Sequence, residues 1–102
     1  MEIIRKLTGM VSEEIGDADK YATCALKHKD DMPALADVFY RLSTEEMQHM
    51  ALLHEQVVKI IDTYRKEKGE PPPEMMAVYN YLHKKQIEDA AAVRAKQLLY
   101  KE

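Results

Sequence analysis

The chain has 102 residues, the length of one domain, a net charge of −3, 46% apolar residues and 32% charged residues. Three Gly, four Pro, one Phe and no Trp argue against a turn-rich all-β fold, and the single cysteine, Cys24, excludes an intrachain disulfide or a multi-cysteine metal motif. The negative balance gives no global electrostatic case for nucleic acid.

Three helices account for nearly the whole chain, so the expected fold class is all-α. The first is predicted from about Glu2 to Lys29, with an apolar stripe of Ile4, Leu7, Val11, Ala18, Tyr21 and Ala25 at spacings of three and four. A short loop, Asp30-Asp31-Met32-Pro33, follows. Asp is expected to supply an N-cap oxygen there, and Pro33 is tolerated in the first turn because its missing N–H is not needed. The second helix is predicted from Pro33 to Lys68. Its stripe is Leu35, Phe39, Leu42, Leu53 and Ile60, flanked by Val38, Val57 and Ile61. Gly69 stops it, and Pro71-Pro72-Pro73 forbids continuation. The third helix, Glu74 to Lys101, carries a weaker face of Met76, Tyr79, Leu82, Ile87, Ala90 and Leu98. The expected organisation is one domain: a hairpin over 1–68, a Pro-rich linker over 69–73 and a C-terminal helix over 74–102.

A short loop between two long helices makes an antiparallel hairpin. Such a hairpin with one extra arm cannot bury its seam alone, so a homodimer or higher homo-oligomer is expected to complete a four-helix core.

Three ionisable residues fall in the seam register. Position 14 of the first stripe is Glu14, and positions 46 and 49 of the second are Glu46 and His49. Gln56 is also polar there but cannot ionise. Glu14 lies 15 residues before Lys29, or about 22 Å along the helix. Glu46 and His49 lie 13 and 16 residues beyond Pro33, or about 20 and 24 Å. In an antiparallel hairpin the three meet at one level. An unpaired carboxylate in a core is costly and takes up a proton, whereas converging carboxylate and imidazole groups suit a cation. Glu together with Glu-x-x-His from neighbouring helices is the ligand set of di-iron carboxylate bundles. These donors suit iron or manganese, and zinc is also compatible. The simpler alternative is a polar group that sets helix register. The chain holds half of the usual set, with no second Glu-x-x-His: Ala91 stands three after Glu88 and Ala77 three after Glu74. A two-fold axis would supply the other half, which places the expected site at a homodimer interface.

The stretch EEIGDADKYATCAL…DVFYRLSTEEMQHMALLHEQV, residues 13–57, resembles the ferritin-like superfamily, in particular the first half of rubrerythrin and the two-helix encapsulated-ferritin type. The matching features are Glu14 followed seven residues later by Tyr21, and Glu46-Met-Gln-His49 starting 32 residues after Glu14. The resemblance implies Glu14, Glu46 and His49 as metal ligands and Tyr21 as a hydrogen-bond partner of a ligand carboxylate. It implies a di-iron protein that oxidises Fe(II) with dioxygen or peroxide. The sequence departs from rubrerythrin in having no cysteine module for electron supply and no second half-bundle. Gln86-Ile-Glu-Asp-Ala90 echoes Glu14-Ile-Gly-Asp-Ala18, but with Gln86 in the place of Glu14 the echo has no ligand. LLYKE does not resemble a shell-targeting tail, so storage inside a shell protein is unsupported. The alternatives are a structural helical assembly protein that keeps the hairpin without turnover, and rubrerythrin-like peroxide reduction, which needs an outside electron donor.

Other features read as ordinary. His54-Glu55 begins a zincin motif that Val58 breaks. His28 and His83 are expected at the surface. Glu13, Asp17 and Glu45 are expected on a solvated face, or as an acidic approach for cations. Met47, Met50, Met75 and Met76 fit gap-filling core. Arg65, Lys66 and Lys68, with Lys84 and Lys85, are solvated charge. No secretory signal pattern opens the chain and no run of 18 apolar residues occurs, so the expectation is a cytoplasmic protein with no membrane contact.

Overall fold

The computed structural model describes residues 1–102 as three helices and no strand: α1 (Glu2–His28), α2 (Pro33–Lys68) and α3 (Pro73–Lys101). They form a rod with extents of 55 × 19 × 18 Å. No helix is long and apolar enough to cross a membrane.

α1 and α2 are antiparallel. Ile4 packs on Val57 and Ile61 at one end, and Ala25 clusters with Ala36 at the other. Midway, the Ser43 hydroxyl donates to the Ala18 carbonyl at 2.7 Å. Both residues are fully buried, and their small size lets the two backbones approach closely. The loop is closed differently from the expectation. Met32 is the N-cap and no side chain caps α2; Asp31 instead pairs with His28 Nδ1 at 3.2 Å. Pro33 fixes the first turn, so no aspartate oxygen is required to start the helix. At the far end Gly69 takes φ 85°, and its N–H donates to the Arg65 carbonyl at 3.1 Å. That left-handed turn and the three prolines reverse the chain.

α3 therefore runs parallel to α1 and packs chiefly on it. Gln86 Nε2 donates to the Thr8 carbonyl and to Ser12 Oγ, each at 2.9 Å. Lys96 Nζ reaches Asp19 at 2.7 Å. Tyr100 packs on Ala25 and Ala36 and hydrogen-bonds to Asp37. The expected face of α3 is corrected here. Ile87 and Leu98 are exposed, and the buried residues are Gln86, Ala90, Val93 and Tyr100. The inner face reads 86, 90, 93, 97, 100, and glutamines at two of those positions disguise it.

Rows of residues seven apart divide α1 by role. Ile4, Val11, Ala18 and Ala25 are buried. Thr8, Ile15 and Ala22, none of them in the expected stripe, are also buried, and Thr8 is held against Gln86 of α3. Leu7, Glu14 and Tyr21 stay half-buried. On α2 the buried residues are Ala36, Ser43, Val57 and Ile61. The expected seam of α2 lies one position earlier, and none of its members is buried in the single chain: Phe39, Leu42, Glu46, Leu53 and Ile60 are half-buried, and Leu35, His49 and Gln56 are exposed. A largely apolar face thus stays open along α1 and α2.

Candidate metal centre

Glu14, Glu46 and His49 meet midway along that open face. Glu46 and His49 are one turn apart on α2, so both side chains leave the helix on one side. Glu14 comes from α1 at the same height. The Ser43–Ala18 hydrogen bond lies one turn from both carboxylates and fixes their register. One ligand-type atom from each of the three residues lies within 4.8 Å of the others. His49 Nδ1 stands 3.6 Å from Glu14 Oε2 and 3.7 Å from Glu46 Oε1. These distances are too long for good hydrogen bonds between the imidazole and either carboxylate.

Burial grades across the cluster. The side chains of Glu14 and Glu46 are 25% and 20% exposed, and that of His49 is 56% exposed. The carboxylates form the floor and the imidazole the rim. Glu14 Oε2 is sealed from solvent and has no hydrogen-bond partner. The Glu46 carboxyl is raised to about 7. Proton sharing with the Glu14 side chain is the largest cause, followed by burial and the Glu14 charge; His49 opposes the rise and Asp17 adds to it. Two carboxylates this close cannot both hold full charge without a cation. The arrangement can hold either a proton or a positive ion, and its oxygen and imidazole donors suit a first-row divalent metal.

The other expected residues are placed as follows. Tyr21 lies in the same row as Glu14 but outside the cluster; its ring stacks on Phe39 with centroids 6.3 Å apart. Glu13 and Asp17 are exposed, and Asp17, one turn from Glu14, is near enough for its charge to act on Glu46. Glu45 pairs with Arg41 at 3.6 Å and is not one of the trio. His28 is a loop partner for Asp31. His83 is half-buried rather than fully at the surface. It stacks on His54 between α2 and α3 with centroids 4.7 Å apart, and its Nδ1 is buried. Sequence pattern alone misses this pairing, because His54 and His83 come from helices whose relative rotation depends on α3. No family model, curated protein or solved structure matches the chain.

Proposed function

We propose that Glu14, Glu46 and His49 are half of a ferritin-like di-iron centre, completed by the same three residues of a second copy across a two-fold axis. The proposed activity is Fe(II) oxidation and iron handling. The observation that carries this reading is the cluster itself: two carboxylates and an imidazole within 4.8 Å, with one buried carboxylate oxygen lacking any partner, at the centre of an apolar face open in the single chain. The orphan oxygen and the hard donor set fit a divalent cation. Two copies would bring four carboxylates and two imidazoles to two metals, the full complement of such a centre.

In this reading Glu14 and Glu46 neutralise the bound cations, and their anionic oxygens favour the ferric product over the ferrous substrate. His49 adds a neutral donor at the rim. The iron supplies the electrons for dioxygen or peroxide. Glu46 gives up its proton as metal enters, so binding releases protons.

One observation favours a second reading. With Glu46 raised to about 7, a proton can satisfy the carboxylate pair near neutral pH, and the hairpin could serve as a metal-free structural part. Titration of purified protein with Fe(II) under exclusion of oxygen separates the two. The expected result is about one iron per chain, as a two-metal site shared by two chains requires. Glu46→Ala is expected to lose both the iron and the oxidation that follows admission of oxygen. An equally stable, metal-free dimer after apolar replacement of Glu14, Glu46 and His49 would sink the metal reading.

A further inference from the structure

The first three turns of α3 hold no fully buried residue. Its buried residues begin at Gln86, while Val78 and Tyr81 of the first half are 60% and 69% exposed. What fastens this half to α2 is a crevice of about 240 Å³ lined by His54, Val58, Ile61 and Asp62 of α2 and by Met76, Tyr79 and His83 of α3, among others. Within it three rings form a continuous stack. His54 and His83 lie 4.7 Å apart with planes 5° from parallel, and Tyr79 lies 5.6 Å from His83 at 6°. Parallel rings do not converge on a shared metal, because imidazole lone pairs lie in the ring plane. The stack is a face-to-face contact between aromatic rings.

Few countercharges stand near the stack. The only carboxylate lining the crevice is Asp62; Arg65 stands 3.9 Å from it and 3.3 Å from Glu70. Arg65 brings a like charge. Tyr79 is held neutral, because burial raises its phenol above the ordinary value. α1 contributes no lining residue. Near this level α1 buries Ile4, which packs with Tyr79, and Thr8, whose carbonyl accepts from Gln86; its charged Glu2 and Arg5 line a separate groove with Glu74 and Tyr79. His83 Nδ1 is sealed from solvent and has no hydrogen-bond partner.

We propose that His54 and His83 form a proton-sensitive latch that holds the first half of α3 on α2 while both rings are neutral and releases it in mild acid. Burial and the neighbouring His83 both lower the affinity of His54 for a proton. The closed form therefore binds fewer protons than the open form. Its advantage is complete above the ordinary imidazole value of about 6.5 and is lost as pH falls below it. Release would expose the apolar contact among Ile4, Val57, Ile61 and Tyr79 at that end of the rod. The inference is independent of the metal reading, since His54 stands five residues beyond His49 and outside the cluster.

Amide hydrogen exchange on the full metal-free chain at pH 7 and pH 5, corrected for intrinsic rates, tests the latch. Amides of residues 74–85 are expected to lose protection several-fold at pH 5, while those of residues 10–25 keep theirs. His54→Phe/His83→Phe, which keeps neutral stacking rings, should abolish the loss, and His49→Asn should retain it. Equal protection at both pH values, or a loss that survives in the double variant, overturns the proposal. If circular dichroism shows the double variant unfolded at pH 7, NMR titration of the wild-type rings decides. His54 must then titrate below ordinary imidazole, with α3 amide shifts following the same midpoint. Titration at or above that value overturns the latch.

Discussion

Glu46 is the residue on which the chemistry of the cluster turns. Its carboxyl sits at about 7 rather than the ordinary 4.5, so the metal-free folded chain binds more protons there than the unfolded chain does. The sign follows from linkage: this group's contribution to stability declines as pH rises from about 4.5 to about 7. Glu46→Gln keeps the shape and removes the titration. Metal-free Glu46→Gln is therefore expected to gain on wild type between pH 5 and pH 8 by on the order of 1 kcal/mol, a figure discounted for the partial exposure of the site. Urea midpoints of both proteins at the two pH values check this, and parallel midpoints would show that the carboxyl is unshifted. The His54 latch acts with the opposite sign, so the difference between the two proteins, rather than either curve, isolates Glu46. The trio was legible in the sequence because two facts about it are local: the three-residue step from Glu46 to His49, and the count from each to the Asp30–Pro33 loop. The stacking of His83 on His54 was not legible, because it depends on how α3 is rotated.

At the scale of the helices, small and polar residues decide how closely the three approach. Ser43 is fully buried; it donates to the Ala18 carbonyl at 2.7 Å and accepts from Gln97 Nε2 at 2.9 Å. One hydroxyl thus ties all three helices together one turn from the candidate centre. Ser43→Ala is expected to cost about 1–2 kcal/mol, from a lost bond and a donor of Gln97 left short. Ser43→Leu is expected to cost more, about 3 kcal/mol, because a large side chain must push α1 from α2 where Ala18 leaves no room. Denaturant unfolding with an unchanged slope would measure both, and a leucine variant as stable as the alanine variant would show the contact to be loose. The same polar residues explain what pattern reading missed. The hairpin and its three helix boundaries followed from apolar spacing, a glycine stop and the prolines. The inner face of α3 did not, because Gln86 and Gln97 occupy core positions by satisfying their amides on α1 and α2. The line of α2 that the single chain buries was missed for a related reason: it runs through Ala36 and Ser43, which carry little hydrophobic signal.

For the whole molecule, the question is what covers the open face. Leu7, Leu42, Leu53 and Ile60 remain half-buried around Glu14, Glu46 and His49, spaced as a helical seam would be. A second copy seated on that face by a two-fold axis would bury the apolar rows and bring the two trios together. Assembly and metal binding would then be linked. Metal that binds only the dimer stabilises it by about 1.4 kcal/mol for each tenfold rise in free metal above its dissociation constant. Leu42 offers a clean test. It lies one heptad before His49, is half-buried, and belongs to none of the buried clusters of the single chain. Leu42→Lys should therefore leave the three-helix rod folded, with wild-type helicity, while placing two like charges near the axis of the dimer. Sedimentation should show a monomer, and Fe(II) binding should fall at least tenfold, because each chain retains only half of the ligands. A Leu42→Lys protein that still sediments as a dimer would place the interface elsewhere. One that is monomeric yet binds iron as tightly as wild type would mean that three ligands from a single chain suffice, and that the partner is dispensable to the metal.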